Sequence, residues 1–237
     1  MKRAAIALAV LAGVAPVTAV MAQTADQRLA QYRERIERLE DQQAIENLQA
    51  TYGYYFDKGM WRETADLFAQ DARFEYGMRG VYIGRERIHR ALLLFGPERL
   101  GPGRLNNHMQ LQAVIRVADD GRTATGRWQG MVMLSEPGAN AVWGTGIYEN
   151  AYVKEDGVWK IASLHFYPTG MTDYDAGWTK SSIPLAGMSA LYPPDEPPSE
   201  AYRAYPSNYI PPFSYPHPVT GEVIEVVQPA DDLVGRD

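Results

Sequence analysis

Residues 105–166, LNNHMQLQAVIRVADDGRTATGRWQGMVMLSEPGANAVWGTGIYENAYVKEDGVWKIASLHF, hold four strand-like runs in close succession. They are Leu105–Val117, Thr123–Leu134, Trp143–Val153 and Val158–Phe166. Asp119-Asp120-Gly121 and Glu155-Asp156-Gly157 are turn signals between them. Upstream the periodicity is helical. Leu29, Tyr32, Ile36 and Leu39 recur at three- and four-residue steps, and Ile45, Leu48, Tyr52 and Phe56 continue the stripe. A break near Gln42 is expected to divide this stretch in two, and Gly59 supplies a stop. Met60–Phe68 reads as a short helix, Asp71–Tyr82 as a turn with a short strand or hairpin, and Arg85–Phe95 as another helix. Helices first and an antiparallel meander last define an α+β chain. The expected shape is a curved antiparallel sheet forming a cone-shaped barrel against the N-terminal helices.

The first residues, MKRAAIALAVLAGVAPVTAVMAQ, have a basic start, an apolar stretch too short for a bilayer span, and a small-residue cleavage pattern before Gln23. Residues 1–22 therefore read as a signal peptide, and the mature chain is expected in the periplasm or secreted, with no stable membrane insertion. Without Lys2 and Arg3, 21 basic side chains face 29 acidic ones, a formal net charge of −8. That surface argues against nucleic acid or anionic membrane as partner. The chain has no cysteine, which excludes thiolate catalysis and cysteine-ligated metals, and its four histidines show no close metal spacing. Neither a metal nor an organic cofactor is expected.

From Pro168 the composition changes to Pro, Tyr, Ser and Gly. Tyr174, Trp178, Tyr192, Tyr202, Tyr205, Tyr209, Phe213 and Tyr215 make 168–237 too aromatic for a solvated tail. It is expected to wrap residues 23–167 or a neighbouring subunit.

Two residues stand out chemically. Asp57 ends the first helical region, where a carboxylate opposes the helix dipole. His108 alternates with Asn106, Gln110 and Gln112, opposite Met109, Leu111, Ala113 and Ile115. An imidazole oriented by a carboxylate can move protons near neutral pH. Tyr52, Tyr54 and Tyr55 precede Asp57 too closely for all to face one cavity, and Tyr54 lies on the nearer helical face. Asn107 and Gln110 beside His108, with Tyr76, Trp143 and Tyr148, are further substrate-binding candidates. Arg127 and Trp128 point oppositely, so only one lines a site, and a buried Arg127 needs an anionic partner. His165, on the last strand, reads equally as a satisfied core histidine or a ligand-binding one. Asp57, His108 and His165 could make a facial metal set only if all three met at one ion.

The blocks YYFDKGMWRETADLFAQDARFEYGMRGVYIGRERIHRALL, NNHMQLQAVIRV and GIYENAYVKEDGVWKIASLHFY, within Asp41–Tyr167, resemble the SnoaL-like branch of the nuclear transport factor 2-like superfamily. The order of these blocks is specific for the fold and weak for the reaction. The resemblance implies that Asp57 and His108 pair as in the dehydratase-like members, that Tyr52 polarises a substrate oxygen, and that His165 stands where scytalone dehydratases use a second histidine. The export signal and aromatic tail are similar to those of the sphingomonad diarylpropane lyases. The implied activity is a cofactor-independent lyase for a hydroxylated phenolic or polycyclic substrate, dehydrating and deformylating a lignin-derived diarylpropane. An isomerase, a cyclase or a noncatalytic binder of an aromatic ligand is the alternative. A homodimer or homotrimer is the implied assembly.

Overall fold

A single helix, α1 (Ala25–Asp57), opens the part of the chain that the computed structural model describes, residues 23–229. The signal-peptide expectation falls on residues 1–22 and lies outside the described residues. Gln42 does not interrupt α1. Ile45, Gln49, Tyr52 and Phe56 form its buried face, at spacings of three and four residues. The earlier stripe is different: Leu29, Tyr32, Ile36 and Leu39 are 49–64% exposed. Periodicity marks a stripe but does not say what covers it. After α1, Gly59 turns the chain with φ +61, and its carbonyl accepts from Arg99 N–H at 2.7 Å.

The remaining elements are α2 (Trp61–Asp66), β1 (Phe68–Tyr76), β2 (Val81–Ile83), α3 (Arg85–Leu92), β3 (Leu105–Val117), β4 (Thr123–Glu136), β5 (Asn140–Glu155) and β6 (Val158–Asp173). They build one six-stranded sheet ordered β2-β1-β6-β5-β4-β3. β3 to β6 form an antiparallel meander, whereas β1 lies parallel to β6. The sheet is therefore mixed, and it is open, with β2 and β3 at its edges. This corrects the expected cone-shaped barrel. Closing a barrel requires β2 to pair with β3, and β2 has only three residues. The chain protects that edge with its tail instead. Val81 N–H donates to Glu196 O at 3.0 Å, and Val81 O accepts from Asp195 N–H at 2.9 Å.

β3 carries a second departure from simple alternation. Its register with β4 shifts between Leu111 and Val114, and Gln112 has φ +51. Such a bulge exchanges the faces of the residues beyond it. Before it, His108 points to the core. After it, Ile115 and Val117 pack there, while Leu111 and Val114 are exposed. The expected division of the strand into one polar and one apolar face holds only up to Leu111.

The core fills the space between the helices and the inner face of the sheet. Tyr52, Phe56, Trp61, Phe68, Phe74, Tyr148 and Phe166 are among its large members, each at most 1% exposed. Many of these rings meet edge-on, as Tyr52 does with Phe68 and Tyr148. On the outer face the segment after β6 contributes no helix and no extended strand among the described residues, yet its contacts are specific. Glu75 accepts from Ser199 N–H at 2.8 Å and Ser199 Oγ at 2.7 Å. Tyr82 donates to Tyr192 O at 2.8 Å, Asp195 pairs with Arg87 at 3.0 Å, and Tyr202 and Tyr209 stack beside Tyr167.

Candidate active site

The last turn of α1 lies directly on β3. A Cβ on Gly53 would stand 3.1 Å from Gln110 Cγ and 3.4 Å from the His108 carbonyl oxygen, so the glycine permits this approach. Asp57 and His108 meet as a result. His108 N–H donates to Asp57 Oδ1 at 2.7 Å, and His108 Nδ1 lies 3.3 Å from the same oxygen. The backbone bond anchors the carboxylate, and the carboxylate favours the tautomer with hydrogen on Nδ1. Phe56 sets its ring edge-to-face against the imidazole, with centroids 4.7 Å apart. His108 is 3% exposed and Asp57 9%.

Two buried phenols, Tyr52 and Tyr148, lie close enough to Asp57 to feel its charge, and Tyr76 lies near both of them. Burial raises the pKa of Tyr52 well above the ordinary tyrosine value, and the charges of Tyr148, Tyr76 and Asp57 raise it further. Tyr148 is raised in the same way, by burial first and then by Tyr76 and Asp57. Burial raises Tyr76 as well, and all three remain neutral O–H groups. The Tyr52 hydroxyl is buried and has no hydrogen-bond partner. A groove of about 210 Å³ reaches the pair from outside, lined by Ala50, Gly53, Tyr54, Asp57, Asn107, His108, Met109, Gln110 and Leu111.

Of the expected site residues, Tyr54, Asn107 and Gln110 line the groove with Asp57 and His108, Tyr52 and Tyr148 are buried in the core near enough to Asp57 to feel its charge, and Tyr76 packs on Phe95 and Phe166. Tyr52 is deep, whereas Tyr54, placed nearer by helical angle, is 74% exposed at the groove rim. A long side chain covers the turn before its own Cα, so angle alone misjudges reach. Tyr55 is half-buried and does not line that groove.

Three expectations, for His165, Arg127 and Trp143, are corrected by sheet phase. His165 faces outward: it pairs in register with Glu75 and stacks on Tyr167 at 3.6 Å, while its neighbours Leu164 and Phe166 enter the core. It is not beside His108, so those two and Asp57 do not make a facial metal set. Arg127 also faces outward. It pairs with Glu149, donates to Pro212 O at 2.8 Å and lies over the Phe213 ring at 4.2 Å. Its anionic partner is Glu149, not Asp57 or a substrate phenolate. Trp143 packs on Trp178 at 4.1 Å, away from the pair. Trp128 does point inward, but its indole N–H is spent on Tyr152 OH at 3.0 Å.

Sequence reasoning passed over Gln49, Asn150 and Tyr152. Gln49 is completely buried and bonds Gln110, Asn150 and Tyr152 at 2.7, 2.9 and 2.8 Å. A detectable signal existed: Gln49 lies four residues after Ile45 and three before Tyr52, a polar side chain on an apolar helical face.

Helices over one face of an open, mixed sheet give an α+β fold of the nuclear transport factor 2-like class. The pattern of the SnoaL-like domain matches residues 37–165, more than half of the chain, and the chain belongs to that family. A structure provisionally named scytalone dehydratase, from Novosphingobium aromaticivorans, is 22% identical over 66% of this chain and 97% of its own, with TM-score 0.54. A protein from the same organism provisionally named an aromatic ring hydroxylase is 20% identical, over 57% of this chain and 94% of its own, with TM-score 0.49. A function-unknown protein of Mycobacterium tuberculosis is 23% identical, over 56% and 73%, with TM-score 0.48. At these identities the likeness is one of fold. No curated protein matches the chain.

Proposed function

We propose that the protein is a cofactor-independent lyase that eliminates water from a hydroxylated phenolic or polycyclic substrate by acid–base chemistry. The observation that carries this reading is the buried contact of Asp57 Oδ1 with both the backbone and the Nδ1 nitrogen of His108, near the buried, neutral phenol of Tyr52. Asp57 orients the imidazole and stabilises its protonated form. His108 delivers a proton to the departing hydroxyl, and Tyr52 or Tyr148 hydrogen-bonds a substrate oxygen.

On a para-phenol, loss of the phenol proton pushes electrons through the ring. The benzylic C–O bond breaks, and a quinone methide and water form. A neighbouring hydroxymethyl group can then give up its O–H proton. Its C–C bond breaks, formaldehyde leaves, and the electron pair forms a C=C bond while the ring returns to phenolate. The substrate ring is the electron sink throughout, which is why this route uses no cofactor. A lignin-derived diarylpropane meets these requirements. The groove's roughly 210 Å³ is below the ~300–1,000 Å³ that encloses a drug-sized ligand, so it would seat one ring with the second nearer the rim.

His108→Ala and Asp57→Asn are each expected to lower turnover about 100-fold or more with circular dichroism unchanged. Wild-type turnover in either variant contradicts the assignment. Isomerisation or cyclisation would appear as product of unchanged mass, and a binding protein would return its ligand intact. The same reading includes export to the periplasm after cleavage near Ala22, checked by N-terminal sequencing of the mature protein, and a homodimer or homotrimer, checked by sedimentation.

A further inference from the structure

Every residue of α1 from Ala25 to Glu40 is exposed, although Leu29, Tyr32, Ile36 and Leu39 are large apolar side chains. A helix of this length is marginal in water unless something packs against it. The four residues recur at steps of three, four and three. That spacing places Leu29 and Ile36 at the a positions of two heptads, and Tyr32 and Leu39 at the d positions. The next a and d positions hold Gln43 and Glu46, which are exposed and polar, so the seam is two heptads long. Lipid is a poor occupant for it. Arg28, Arg33, Arg35 and Arg38 are balanced by Asp26, Glu34, Glu37 and Glu40, which leaves no net charge to hold the segment on an anionic surface.

We infer that α1 of a second copy of this chain covers the stripe, in a parallel two-stranded coiled coil over Leu29–Leu39. A β-branched residue at a with leucine at d favours two strands, as Ile36 and Leu39 supply. The orientation follows from the charges beside the seam, Arg28 and Arg35 at g and Arg33 and Glu40 at e. In a parallel pair each g residue meets the partner's e residue five positions on. Each of the four apolar residues then meets its own copy, Arg35 meets Glu40 on both sides, and only Arg28 and Arg33 repel. An antiparallel pair that keeps the four apolar layers sets Arg33 against Arg33, Arg35 against Arg35 and Asp26 against Glu40, all of like sign. Sliding that pair by one heptad brings Arg33 to Glu40 but puts Leu29 against Glu46. The inference takes the self-association proposed above and narrows it to a dimer through α1. The reaction does not enter.

Sedimentation equilibrium of the whole protein, over a range of concentrations, tests this. The wild type is expected to show a monomer–dimer equilibrium, and because a two-heptad seam is small for a stable interface the dissociation constant should be micromolar. Ile36→Glu, at a position 54% exposed in the protomer, should weaken the dimer about 10-fold or more by burying like charges in the seam. Arg33→Glu is the more telling variant. It turns two repulsive contacts with Arg28 into attractive ones and should tighten a parallel dimer roughly 3- to 10-fold. In the slid antiparallel pair the same change would oppose Glu40 and loosen the dimer, and in the other antiparallel register it would leave the dimer unchanged. Arg35→Glu and Glu40→Arg should each loosen the dimer, and the two together should restore it. A dimer that Arg33→Glu loosens or leaves unchanged overturns the inference, and so does a double variant that stays loose. A dimer or trimer indifferent to Ile36→Glu overturns it too, while leaving self-association to another surface. A wild type that stays monomeric, its stripe left for another protein's helix, overturns both this inference and the assembly proposed above.

Discussion

The Tyr52 hydroxyl separates function from stability at a single atom. It is buried, without a partner, and surrounded by Phe56, Phe68 and Tyr148. A buried polar group left unsatisfied costs stability, so Tyr52→Phe is expected to raise the unfolding free energy of the ligand-free protein by about 1 kcal/mol. The same change should lower turnover of a phenolic substrate, because the lost O–H is one of the few polar groups in the site. Chemical denaturation and steady-state kinetics on one preparation check both halves. A variant that is less stable and fully active contradicts this role. At this scale the sequence was informative about Asp57 and His108, whose residue types and positions suggest each other. It was misleading about His165 and Arg127, because strand alternation gives opposite faces but does not say which face holds the helices.

At the scale of elements, the segment after β6 is the most unusual part of the chain. It caps the β2 edge through Asp195 and Glu196 and lies against a row of outward-facing ionisable groups: Glu75 on β1, His165 on β6, Glu149 on β5 and Arg127 on β4. Glu75 is 6% exposed, and its strongest partner is Ser199. Ser199→Ala removes a hydroxyl donor from a buried carboxylate and is expected to cost about 1–2 kcal/mol. Limited proteolysis should then cut within 174–229 faster in the variant than in the wild type. Equal cleavage rates would mean that these contacts do not hold the segment. The helices and the meander were legible because each has its own period. The parallel β1–β6 pairing, the open edges and the bulge at Gln112 were not, since they depend on partners more than eighty residues apart or on one unusual backbone angle.

For the whole molecule, the outer row predicts how stability varies with pH. Burial holds the His165 imidazole down at about 3. The unfolded chain takes up a proton there near pH ~6.5, so it binds more protons than the folded one between those values. Stability contributed by the neutral ring is thus complete above pH ~6.5 and is lost as pH falls toward the folded value. Glu75 and Glu149, raised by burial, bind protons more readily when folded and oppose this loss. His165→Asn should accordingly show a smaller drop in Tm than the wild type between about pH 7 and 5, and scanning calorimetry at several pH values measures it. An unchanged slope would contradict the buried, neutral state of His165. The central claim is that the inner face performs elimination with Asp57 and His108. Its most direct test is mass spectrometry of a phenolic diarylpropane bearing a benzylic hydroxyl and a neighbouring hydroxymethyl group, incubated with metal-free wild-type protein and with His108→Ala. The expected result is loss of water and formaldehyde with the wild type and unaltered substrate with the variant. Substrate unaltered by both, or equally consumed by both, would contradict it.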